Sequence, residues 1–340
     1  MPSSAAPAPG ASWWPCSWLL TFCGINVFVI IFTVYPIACA FFKVGDIPRS
    51  LIPACVLGAC VSQQMLPGIA DTTNILATEA FGVPAAAGPV TGIFLSAFLF
   101  VANAAYLHRE ANKARERGEH FQPLPGESFE IDLHKQGLPH PALALIPIGV
   151  VLAALNAFAV PAYASLYLGS LTAMVLFFRR LGGLKGVTDT LNQAAKSSMS
   201  VLATCAIIGF SGIVTAVPGY ELLLSGLERI SGGNPYLFAF ICVAVIAAVS
   251  GSATGGVQFV LDSFSDKLLA MGGDPASLVR VICAAARTFD SLPHNSAVVL
   301  TLNACNVTHR EGYKHVAVTT VLNTTIATAI AILFAMIGIR

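Results

Sequence analysis

Charge is what this sequence lacks. Lys, Arg, Asp and Glu make up 10% of its 340 residues, where soluble chains carry about 25%. Apolar residues make up 56%, and mean hydropathy is +0.76. Such a chain cannot cover a soluble surface with polar groups, so lipid is the solvent for most of it. The formal net charge is +1. No bulk attraction to nucleic acid follows, and no nucleic-acid partner is expected. Basic residues are absent from Met1–Ser12, so this Pro/Ala/Ser run does not read as a signal peptide. Residues 1–17 read instead as a disordered tail.

Other absences narrow the chemistry. The nine cysteines form no CxxC pair, and most lie inside apolar runs. They read as small packing residues, so no disulfide framework, metal site or cofactor is expected. The short alternating segments of a transmembrane barrel are missing. No Gly-Lys-Ser/Thr follows the glycine-rich run at 251–256, which excludes a phosphate loop.

What charge there is lies unevenly. Residues 106–140 hold eleven charged residues and four of the seven histidines, whereas 18–42, 80–107, 141–178, 197–220, 230–261 and 316–339 hold no charge. A spanning helix needs roughly 20 apolar residues, so each uncharged stretch has room for a span. Residues 141–178 have room for two, with the turn near Pro161 and Tyr163. The expectation is an all-α polytopic membrane protein. Residues 18–107 hold the first spans, 108–140 a cytoplasmic loop, and 141–340 two linking spans followed by a second set.

A weak repeat runs through the two sets. Pro48-Arg49-Ser50-Leu51 opens an apolar segment broken by Leu66-Pro67, and Pro275-Ala276-Ser277-Leu278 opens one broken by Leu292-Pro293. Asn74 and Asn295 follow the two breaks. Paired broken segments point to an inverted-repeat secondary transporter with two discontinuous helices. If 200–230 is a re-entrant hairpin, 13 of the 18 Lys and Arg fall on one side, which the positive-inside rule makes cytoplasmic. Residues 262–280, with Arg280, then fall on the other.

Three runs carry polar groups where lipid could not satisfy them: 66–74, 250–256 and 290–295. Pro67, Gly68 and Pro293 break the helices there. A freed backbone survives in a membrane only where protein, water or a ligand takes it. Gln63, Asp71, Thr72, Thr73 and Asn74 surround the first break. Gly251, Ser252, Thr254 and Gly255 offer hydroxyls and bare backbone, although small residues also serve close helix packing. Asp290, Ser291, His294 and Asn295 flank the last break. An ionisable side chain at mid-membrane costs at least about 2.5 kcal/mol. Arg287 and Asp290 stand one turn apart and could neutralise each other. Asp290, His294 and Asp71 are candidate proton or cation carriers, and the hydroxyl, amide and glycine residues are candidate substrate ligands.

Gly251-Ser252-Ala253-Thr254-Gly255-Gly256, Asp290-Ser291-Leu292-Pro293-His294-Asn295-Ser296, and Thr308-His309-Arg310 with Tyr313 resemble the C-terminal half of the gluconate permease (GntP) family. Its hydroxybutyrate-permease-like members are the nearest pattern. Ile47-Pro48-Arg49 and Leu66-Pro67-Gly68 resemble that family's first repeat, and the likeness covers roughly residues 25–340. The resemblance implies a multi-pass bacterial inner-membrane symporter of the ion-transporter superfamily. Its substrate would be a small hydroxylated monocarboxylate such as gluconate or 3-hydroxybutyrate, driven by protons or sodium, in a possible homodimer. Members carry several further spans before the segment matching 33–42, so an N-terminally truncated chain is expected. Two rivals are an intramembrane hydrolase, with Ser252 or Ser291 as nucleophile and His294 as base, and a passive anion channel. Ser252 is not central in a Gly-x-Ser-x-Gly elbow, so no enzyme is expected.

Overall fold

The computed structural model describes residues 27–124, 141–158, 160–197, 213, 226 and 229–340. The expected N-terminal tail, the first part of the expected opening span, most of the expected 200–230 hairpin and residues 125–140 of the expected cytoplasmic loop lie outside the described residues. Every element among the described residues is helical.

Helix α1 (Val27–Val44) leads into α2 (Ile52–Gln63), α3 (Thr72–Ala80) and α4 (Pro89–Glu116). Two shorter apolar helices follow, α5 (Pro141–Asn156) and α6 (Ala162–Leu176), then α7 (Gly183–Ser197). The second set is α8 (Pro235–Ser250), α9 (Ala253–Ala270), α10 (Pro275–Ala286), α11 (Ser296–Ala304), α12 (His309–Val316) and α13 (Asn323–Met336). A π-helical segment, Ala317–Leu322, joins α12 to α13.

Local chemistry sets these boundaries. Asn234 accepts from the backbone N–H groups of Tyr236 and Leu237, with Pro235 opening α8. Asp274 caps α10 through the Ser277 N–H, again with proline following. Thr308 and Glu311 form a reciprocal capping box at α12. Each device satisfies N–H groups that a helix start leaves without an internal partner.

Two helices, Pro89–Glu116 and His309–Met336, each 28 residues, are long and apolar enough to cross a membrane. At 1.5 Å per residue each reaches about 42 Å, beyond the roughly 30 Å hydrocarbon core. Helices α5 and α6 hold 16 and 15 residues, short of the two full spans expected there. Both long helices are apolar outside and polar inside. Val90, Ile93, Val101, Ile326, Leu333 and Met336 are exposed, while Asn103, Thr319, Thr320, Thr324 and Thr328 are fully buried. A soluble helix shows the reverse. Lipid accepts the outer apolar groups, and the polar ones find partners inside the bundle.

The two sets repeat in length and order. A 12-residue helix, a break and a 9-residue helix precede a 28-residue helix in each: α2, α3 and α4 in one, α10, α11 and the continuous α12–α13 in the other. Their packing is reciprocal. Helix α3 packs on α9, and α11 packs on α1. Helix α2 lies against α4 as α10 lies against α13, and α4 meets α13.

Candidate functional site

The site grows from the two helix breaks. Helix α2 ends at Gln63 and α3 begins at Thr72; α10 ends at Ala286 and α11 begins at Ser296. In neither case do the two halves pack extensively along one another. The 250–256 run differs. Gly251 takes a left-handed turn, φ +60°, Ser252 caps the next helix by accepting from Gly255 N–H, and α8 and α9 lie against each other. It is a tight helical reversal. A Cβ on Gly256 would stand 2.8 Å from Ala247 N, so this glycine lets the two helices close.

The two breaks meet through charge. The Arg287 guanidinium, from the second break, donates from Nη2 to Asp71 Oδ2 at 2.9 Å and to Thr73 Oγ1 at 3.2 Å. Its Nη1 lies 3.8 Å from Asp290 Oδ2. Asp71 caps α3, accepting from Thr73 N–H at 3.1 Å. The Thr73 hydroxyl donates to the same carboxylate, and Gln64 Nε2 donates to its other oxygen at 3.3 Å. Ser291 Oγ donates to Asp290 Oδ1 at 3.0 Å. The three charged side chains are 12 to 16% exposed. Asp71, Thr73, Asp290 and Ser291 thus form one cluster of two carboxylates around one guanidinium.

A second group surrounds the reversal. Asn295 Oδ1 accepts from Ala297 N–H and Val298 N–H, capping α11, while its Nδ2 donates to Gly251 O at 2.7 Å. His294 is exposed, with Nε2 2.9 Å from Ala248 O. A Cβ on Gly251 would lie 3.2 Å from His294 Cδ2. Gly251, Ser252, His294 and Asn295 are therefore neighbours, with Thr254 and Gly255 in the first turn of α9. Pro293 is exposed, and its carbonyl lies 3.1 Å from His309 Nε2.

Asn74 has both amide hydrogens engaged inside the protein. They go to Ile69 O at 3.0 Å and Ala85 O at 3.1 Å, and its Oδ1 accepts from Arg280. Gly68, with φ +74°, donates to Ala85 O and accepts from Asn156 Nδ2. Pro67 packs close to α4, where a Cβ on Gly92 would stand 3.0 Å from Pro67 Cδ. A cavity of about 310 Å³ opens beside this turn, lined in part by Thr78, Glu79, Ala85 and Asn156.

One feature escapes the sequence reading. Arg280, placed by charge counting in an outer loop, is 1% exposed within α10. The signal was available: it is the one charged residue in Pro275–Ala286. Gln63, expected beside the first break, is wholly buried, and among the described residues neither its Nε2 nor its Oε1 has a hydrogen-bond partner.

No protein-family model matches the chain. Two relatives do. An uncharacterized transporter of Bacillus subtilis, YxjC, is 28% identical over 94% of this chain and 77% of its own length. An uncharacterized transporter of Haemophilus influenzae is 25% identical over 87% of this chain and 68% of its own. These similarities support a transporter role and a membrane location. They fit a protein that is not an enzyme, and they do not single out the gluconate permeases.

Proposed function

We propose that this chain is a proton-coupled symporter of a small hydroxylated monocarboxylate, built from two inverted repeats in a bacterial inner membrane. One observation carries the reading: both breaks converge on Asp71, Arg287 and Asp290. Two carboxylates and one guanidinium leave the cluster one negative charge in excess when all are ionised. A substrate carboxylate docking on Arg287 would add a second. In a site shielded from water that second charge is costly, and one proton taken with the substrate returns the cluster to its resting charge. Asp290 is the proton carrier in this scheme, because its contact with Arg287 is the looser one. Thr73 and Ser291 supply hydroxyls beside it, and the half-helix starts at Thr72 and Ser296 supply N–H dipoles, as anion sites in discontinuous helices do. Ser252, Thr254 and Asn295, with Gly251 and Gly255, form the opposite wall of the path, and His294 and Asp71 are secondary candidates for the proton.

The test is counterflow in proteoliposomes with gluconate, 3-hydroxybutyrate, lactate and C4-dicarboxylates. Uptake of one of the hydroxylated monocarboxylates, driven by an imposed pH gradient and collapsed by an uncoupler, is expected. Asp290→Asn should abolish proton-driven uptake and retain exchange of internal for external substrate. Full proton-driven uptake by Asp290→Asn would remove that residue from the mechanism. Uptake of none of the four would overturn the substrate class.

A further inference from the structure

Arg280 is the most deeply buried charge among the described residues, and it forms no ion pair with any of them. What surrounds it is oxygen. Nη1 donates to Met65 O at 3.3 Å and to Leu66 O at 3.4 Å, and Nη2 donates to Asn74 Oδ1. Met65 and Leu66 follow the C-terminal end of α2, where carbonyls lose their helical partners. Asn74 lies in the first turn of α3. One guanidinium, from the opposite repeat, therefore collects the free carbonyls of a broken helix and an amide oxygen from its continuation.

That oxygen set has another natural occupant. Unwound carbonyls and half-helix C-terminal ends are what coordinate sodium in discontinuous transporter helices. A buried guanidinium with only neutral partners is otherwise an expensive feature. Its stem has little freedom. Gly88, with φ +64°, leaves so little room that a Cβ there would stand 2.5 Å from Arg280 Cγ. The cation is tethered, fixed and surrounded by the ligands a monovalent ion would take.

We propose that Arg280 is a built-in substitute for a sodium ion at the first break: it holds the two half-helices in register as a positioning residue, and this break binds no sodium. The inference deepens the symport reading, since it leaves the proton as the coupling ion at this end of the site. The geometry on which it rests does not depend on which carboxylate is carried.

Melting of the purified chain in detergent tests it, in sodium chloride against choline chloride and without substrate. The wild-type protein is expected to melt at the same temperature in both salts. Arg280→Ala is expected to melt lower in choline and to recover part of that loss in sodium, because the vacated oxygens accept the ion. Arg280→Lys keeps a tethered cation and is expected to show no sodium response. Sodium stabilisation of the wild type overturns the proposal. So does an Arg280→Ala protein that folds and melts identically in both salts, which would make Arg280 a structural clamp alone. Should Arg280→Ala fail to fold, sodium stabilisation of Arg280→Lys, like that of the wild type, still refutes it. No substrate enters this measurement, so a failed transport screen leaves it intact.

Discussion

Asn323 donates from Nδ2 to Asn103 Oδ1 at 2.7 Å, and the two residues hold the same place in two different helices. Each stands fourteen residues beyond the first residue of a 28-residue helix, Pro89 in one and His309 in the other. Both are buried. The pair therefore lies where the two sets of helices meet. Asn103 Nδ2 also reaches Gly58 O and Ser62 Oγ, both at 3.2 Å. The contact thus ties both long helices to the first broken one.

Removing half of this pair strands the other half. Asn323→Leu leaves Asn103 Oδ1 without its donor, and a stranded buried polar group costs about 1–3 kcal/mol. In a membrane bundle the coupling between two such groups is smaller, about 0.6 kcal/mol and at most about 1.7. Thermal unfolding of Asn103→Leu, Asn323→Leu and the double variant should therefore give a double variant less destabilised than the two singles added together. Strict additivity would show that the two amides do not support each other.

The ion cluster predicts an asymmetry. Asp71→Asn leaves Arg287 with Asp290, 3.8 Å away. Arg287→Gln leaves Asp71 and Asp290 with no cation between them. Breaking a buried pair from one side costs about 3–5 kcal/mol, and the Arg287 variant should approach that range while Asp71→Asn falls below it. Joining Asp71→Asn to Arg287→Gln should recover part of the loss, since one uncompensated charge disappears. Equal melting temperatures for the two single variants would contradict the role given to Asp290.

Much of the architecture was legible in the charge pattern, because lipid enforces it. The uncharged stretches at 80–107 and 316–339 mark the two long helices, and Leu66-Pro67 and Leu292-Pro293 mark the two breaks. Pairing was less legible. Arg287 and Asp290 stand one turn apart in sequence, so local spacing suggests that they neutralise each other. The shorter contact is instead to Asp71, more than two hundred residues away, which only the packing of the two sets of helices can bring near. Arg280 shows the same limit. Counting charges puts it on the outer side with 262–280, but it lies in the middle of a helix and the oxygens that hold it come from a distant break.

Asn295 does two jobs, and its two nearest substitutions separate them. Asn295→Asp keeps an oxygen for the Ala297 and Val298 N–H groups but loses the N–H donated to Gly251 O. Asn295→Ala loses both. Loss of an N-cap costs about 0.5–2 kcal/mol. The alanine variant should therefore melt well below the aspartate variant, and Ser252→Ala, which loses only the cap on Gly255 N–H, should lie between wild type and Asn295→Ala. An aspartate variant as unstable as the alanine one would place the main contribution of Asn295 in its bond to Gly251.

The contact of Asp46 with His120 and Phe121 should respond to acid and not to neutral pH. Asp46, in the turn after α1, receives His120 Nδ1 at 2.6 Å on one oxygen and the Phe121 N–H at 3.0 Å on the other. The His120 hydrogen bond first, and the Phe121 N–H second, hold the Asp46 carboxyl below the usual carboxylate range. A carboxyl whose folded value is depressed contributes stability above its unfolded value, about 3.9. That contribution is lost as pH falls through the folded value. Once corrected for intrinsic exchange, amide protection at Phe121 should stay level from neutral pH down to about 5 and fall below about 4. Added salt should weaken it throughout, because the pair is exposed. In Asp46→Asn the neutral amide can still accept from Phe121 N–H, so weaker protection that no longer varies with pH is expected. Wild-type protection at Phe121 that stays unchanged below about pH 4 would show that the Asp46 carboxylate does not hold the contact.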